Sequence, residues 1–182
     1  MRRIPPSAAA ARAVAPALVA VLVLASVPAP VRAQPPVPFP AGTSYDPAIP
    51  APRAFLGHDP ADAVTEPEAI VQYMRALAAA APDRAWLLEY AESHEGRPLV
   101  MLAVGSPERM ARVDAIRQDL TRLADPRGLS AADEARLVAE LPVVTVLAHS
   151  IHGNEISGAG AAIAAAYHLL AARGDAEVET IL

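Results

Sequence analysis

The chain contains no cysteine and no lysine. Without cysteine there is no thiolate nucleophile and no thiolate metal site, so any metal must be held by histidine and carboxylate. The same absence says nothing about compartment, because an oxidising environment permits disulfides without requiring them. With no lysine, every basic residue is arginine, a bias that accompanies abundant alanine and proline and carries no function by itself. Positive charge is also scarce. The formal net charge is −5 and becomes more negative once Arg2, Arg3, Arg12 and Arg32 are removed with the leader described below. Nucleic acid is therefore excluded as a partner, since its binding rests on basic clusters meeting phosphate. No apolar run reaches the ~20 residues that a spanning helix needs, and no G-x-S-x-G elbow is present.

What the first residues do contain is a leader. Arg2 and Arg3 precede an apolar stretch from Ala13 to Val27, followed by Val31-Arg32-Ala33 and Gln34. A basic start, a short apolar middle and an A-x-A-like end describe a signal peptide over residues 1–33. The expected product is exported, periplasmic or secreted, with no stable membrane span after cleavage. Residues 34–60 are crowded with proline and read as a linker or a surface-hugging arm, which Phe39, Tyr45, Phe55 and Leu56 could pin down. Residues 61–182 are the expected domain.

Within that domain the pattern alternates. Thr65 and Pro67 mark a helix start, and Ile70, Tyr73, Met74 and Leu77 form its apolar stripe before Pro82. Ala85–Ala91 and Pro98–Val104 are short strand-forming runs around Ser93-His94-Glu95-Gly96-Arg97, which predicts a β-hairpin with His94 and Glu95 solvated in its turn. A helix from Ser106 to about Leu123 follows, with Met110, Val113, Ile116 and Leu120 on one face. After the break at Asp125–Gly128, a shorter helix runs from Ser130, its cap, to Glu140.

Leu141–Ala148 is almost continuously apolar and β-branched, the pattern of a strand covered on both faces. A small-residue helix from Ile156 to Ala172 follows, stopped at Gly174, in which Gly158 and Gly160 allow close packing against the sheet. His58 reads as an exposed loop residue and His168 as a structural residue on the helix edge. Between strand and helix lies "HSIHGNE". Sites in open α/β sheets gather at the carboxyl ends of strands, which is where this loop falls.

Hydrolytic zinc takes protein ligands such as His₂Glu and leaves one position open. His152 and Glu155, three apart around a turn, can reach one point. Gly153 and Asn154 supply backbone freedom, and the helix start favours an ionised Glu155. Such a pair is common by chance, so its weight comes from its place after the strand. His149 competes for the role and fits better as a supporting residue.

"SHEGRPLVMLAVGSPE" followed by "VVTVLAHSIHGNEISGAGAAIAAAYHLLA" resembles the M14 zinc carboxypeptidases, in particular the large exported bacterial type with an H-G-N-E motif. The likeness runs from about Phe55 to Leu182 and includes the Leu-Ala-Asp-Pro-Arg break. It implies an α/β fold, a three-layer mixed sheet with helices on both faces, incomplete in this chain. It also implies Zn²⁺ as cofactor, His152 and Glu155 as the first two metal ligands, and a peptide or protein substrate cut near its C-terminus by a zinc-bound water. The digestive members carry Arg where this chain has Asn154, so the substrate contact made there is not carried over. By the same resemblance the third ligand, the general base and the arginine for the substrate carboxylate lie beyond Leu182. The catalytic residues are accordingly unassigned, and the polypeptide alone is expected to be inactive and aggregation-prone. Three alternatives stand beside the peptidase. They are a zinc deacylase of the aspartoacylase type, a metal-free α/β-hydrolase using Ser150 or Ser157, and a non-catalytic peptide-binding module.

Overall fold

The structure, a computed structural model, describes residues 39–40, 42–149 and 151–182. The leader at residues 1–33 and the first residues of the proline-rich segment lie outside the described residues. The chain begins with β1 (Ser44–Tyr45) and the short helix α1 (Pro52–Leu56), followed by helix α2 (Pro67–Ala80). The hairpin strands β2 (Ala85–Glu92) and β3 (Pro98–Val104) come next, then α3 (Pro107–Met110), α4 (Val113–Ala124) and α5 (Ala131–Glu140). After an extended segment come α6 (Ser157–Ala171), β4 (Ala172–Arg173) and α7 (Ala176–Ile181).

The apolar stripe of α2 does what its spacing predicts. Tyr73, Met74 and Leu77 are buried, and they pack with Ile163, Tyr167, Leu170 and Ala171 of α6 and with Ala85 at the start of β2. Covering each such side chain contributes about 1.5–3 kcal/mol. The helix start differs by one residue from the expected one. Glu66 occupies the cap position without a side-chain bond, Pro67 opens the helix, and the Thr65 hydroxyl lies 3.4 Å from His58 Nε2 instead. His58 is thus half-buried rather than an exposed loop residue, and its Nδ1 lies 3.0 Å from the Asp59 carbonyl oxygen.

The hairpin is antiparallel with Leu87 opposite Leu102 and Leu88 opposite Met101, and its register shifts between Glu89 and Ala91. Its turn closes through Ser93 N–H to the Arg97 carbonyl (2.8 Å), with Gly96 at φ 76°, the left-handed backbone that favours glycine. Leu87, Leu102 and Val104 face the core formed by α2 and α6. Successive strand residues point to opposite faces, so Trp86 looks the other way, where the Arg117 guanidinium of α4 sits 5.5 Å from its ring centre. Helices therefore lie on both faces of the hairpin.

Two expectations are corrected. The helix predicted from Ser106 onward is two helices. Ser106 caps α3, while Met110 packs against Gly105; α4 is oriented by Trp86, and Arg112 at φ −110°, ψ 9° takes up the change of direction between them. The strand predicted at Leu141–Ala148 forms no ladder among the described residues, and Val143 is 90 % exposed. A strand apolar on both faces needs a neighbour along each edge and a layer above and below, and β2 and β3 pair with each other instead. The α5 helix behaves as expected, with the Ser130 hydroxyl accepting from Asp133 N–H at 3.1 Å.

The proline-rich segment is packed where it is described. Its β1 pairs antiparallel with β4, and Phe39, Tyr45, Ile49, Ala51 and Leu56 join the core. Tyr73 donates its hydroxyl proton to the Pro50 carbonyl at 2.8 Å.

Candidate metal centre

Three structural levels lead to the "HGNE" loop. The α6 helix is rich in alanine, a strong helix former, and its buried residues Ile163, Tyr167 and Leu170 fasten it to α2. Ahead of it the chain makes two successive turns. Glu155 N–H donates to the His152 carbonyl (3.0 Å), and Gly158 N–H donates to the Glu155 carbonyl (3.3 Å). Glu155 thereby stands two residues before the first residue of α6, Ser157.

His152 and Glu155 are both exposed, and both line one open depression of about 620 Å³ together with Ala148, His149, Ile151, Ser157 and Gly158. The donor chemistry fits zinc. An imidazole and a carboxylate, free of competing thiolates, are two of the three protein ligands that a hydrolytic zinc site takes. Among the described residues no group of three or more His, Asp and Glu side chains converges in a way that could hold a metal ion. His149 shares the depression without completing such a group. Gly153 makes the turn without a positive φ, and a Cβ placed on it would meet open space.

The remaining histidines lie elsewhere. His94 is exposed in the hairpin turn, beside Glu95, which pairs with Arg97 at 3.1 Å. His168 is structural, as its place on the helix predicts. Its Nδ1 shares a hydrogen bond of 2.9 Å with the Tyr45 hydroxyl, and its Nε2 lies 3.5 Å from Asp175, whose carboxylate caps α7. Burial, followed by the neighbouring Tyr167 and Asp175, pushes the Tyr45 phenol up from its ordinary pKa. Ser157 was noted in the sequence only as a rival nucleophile. Its position in the depression, at the first turn of α6, follows from the two turns that no periodicity announces.

Comparison with curated proteins and with solved structures gives no match. The family model described as zinc carboxypeptidase, peptidase M14, matches residues 70–182, which takes in α2 from Ile70 onward, the hairpin, the depression and α6. The helices and small antiparallel sheets are compatible with part of that family's α/β fold. With more than half of its length matched and the "HGNE" turn inside the match, the chain belongs to the zinc carboxypeptidase family of M14 peptidases.

Proposed function

We propose that the chain supplies the amino-terminal part of an exported, zinc-dependent metallocarboxypeptidase that cuts peptide bonds near a substrate's C-terminus. His152 and Glu155 hold the metal, and a further ligand and the general base come from sequence outside these residues. The observation that carries this reading is the shared depression: an imidazole and a carboxylate on one turn, at the mouth of a well-anchored helix, inside the segment that matches the family. A zinc ion bound there supplies Lewis acidity toward a peptide carbonyl and a water oxygen.

The chain's own residues do the rest. His152 offers an imidazole nitrogen and Glu155 a carboxylate, two of the donor types that a hydrolytic zinc site takes. The openness of the depression admits an extended peptide end. Export rests on the leader pattern in residues 1–33.

The test uses the complete enzyme on two substrates, a peptide with a free C-terminus and an N-acyl amino acid. Release of the C-terminal residue, abolished by chelation and restored by Zn²⁺, is the expected result, with His152→Ala and Glu155→Gln both inactive. Preference for the N-acyl amino acid would instead assign a deacylase of the same metal chemistry. Turnover that survives chelation would remove the metal from the account.

A further inference from the structure

The α6 helix carries the candidate site at its start, where residues 151–157 are all exposed. What sets the helix's position lies further along, and much of it comes from a segment ahead of the family match, which starts at residue 70.

That segment touches α6 at both ends. Toward the site, a methyl group placed on Gly160 would meet the Ala61 backbone nitrogen at 3.4 Å, so helix and loop are in backbone-to-backbone contact there. Ala61 is the one non-glycine with positive φ (72°) among the described residues. An L-residue held in that region costs about 1–2 kcal/mol, so surrounding contacts maintain the loop's shape. At the far end, Tyr167 stacks on Tyr45 with ring centres 5.1 Å apart, and Phe39 meets both rings edge-on. Beyond it the Tyr45 hydroxyl reaches His168, Asp46 N–H donates to the Ala171 carbonyl at 2.8 Å, and Asp46 pairs with Arg173. Ile49, 3 % exposed, fills the space between α2 and α6.

We propose that Phe39 and residues 42–63 form a cradle that positions α6, and with it the His152–Glu155 turn, for metal binding. A helix behaves as a rod, so holding it at Gly160 and again at Tyr167–Ala171 sets where its start stands. The metal role of that turn rests on the function proposed above; the positioning does not.

The test compares three full-length variants. Gly160→Leu pushes side-chain bulk into the Ala61 contact while improving helix propensity. Gly160→Ala adds only a methyl that the 3.4 Å spacing accepts. Ala161→Leu places the same bulk on an exposed position of the same helix. Amide hydrogen exchange is read over residues 57–63 and 157–164, with the hairpin at 85–104 as internal reference, and Zn²⁺ affinity is titrated separately. The cradle predicts at least tenfold faster exchange in both segments for Gly160→Leu alone, with the hairpin unchanged, and weaker Zn²⁺ binding by that variant. Exchange at 157–164 that stays as in the wild type, or rises equally in Ala161→Leu, or rises together with the hairpin, overturns the cradle. Faster exchange at 157–164 with no Zn²⁺ uptake by any variant keeps the cradle and removes the metal reading instead.

Discussion

Two leucines with the same side chain and opposite surroundings give a direct test of the packing. Leu77 is 0 % exposed, within the cluster of Tyr73, Ile163 and Leu170. Leu147 is 59 % exposed, on the extended segment before the site. Leu77→Ala removes buried methyl groups and leaves a cavity, which costs about 2–5 kcal/mol. Leu147→Ala leaves no cavity, and its effect stays within about 0.5 kcal/mol. Urea unfolding of the 182-residue chain, followed by Trp86 fluorescence and far-ultraviolet circular dichroism, converts these to midpoints. With a slope of about 1–3 kcal/mol per molar urea, Leu77→Ala lowers the midpoint by about 0.7 M or more, and Leu147→Ala barely moves it. If Leu147→Ala cost as much as Leu77→Ala, the segment at 143–148 would be a covered strand and the arrangement described above would be wrong.

Tyr73→Phe removes the hydroxyl that donates to the Pro50 carbonyl and costs about 0.5–1.5 kcal/mol near neutral pH. The same residue governs the alkaline limb. Burial holds the Tyr73 phenol protonated above the pH of about 10 at which an unfolded tyrosine ionises. The unfolded chain then binds fewer protons than the folded one, so stability falls as pH rises past that point. The urea midpoint of the wild type should drop above pH ~10, and that of Tyr73→Phe less steeply; parallel slopes would contradict the burial. Val146→Lys places a charge in the exposed run of Val143, Val144, Val146 and Leu147, and should reduce light scattering on concentration with no change in urea midpoint. A fall in midpoint would show that Val146 is covered.

Much of the fold was legible in local chemistry. The stripe of α2, the Ser130 cap and the hairpin with its Gly96 turn all answer to neighbours in sequence, and all appear where spacing puts them, whereas α6 ends at Ala171, ahead of the stop expected at Gly174, because Ala172 and Arg173 turn into β4. What could not be read depends on distant partners. The two-residue pairing of β1 with β4 joins Tyr45 to Ala172, and nothing near either residue signals it. The partner of His168 is Tyr45, 123 positions away. The strand expected at Leu141–Ala148 failed for the converse reason: its composition states a demand for cover on every side, and composition cannot say whether the cover is present. For the candidate site, the three-residue spacing of His152 and Glu155 is in the sequence. Their common depression, with Ser157 on its rim, required the turns that only the folded backbone shows.

The most direct measurement is the Zn²⁺ affinity of the demetallated complete enzyme, titrated beside His152→Ala, Glu155→Gln and the double variant. One ion per chain in the parent, weakened by well over the tenfold that even an outer supporting residue contributes in each single variant and lost in the double, is the predicted result. Stoichiometric zinc held with undiminished affinity by the double variant, or no zinc taken up by the parent, would contradict the account.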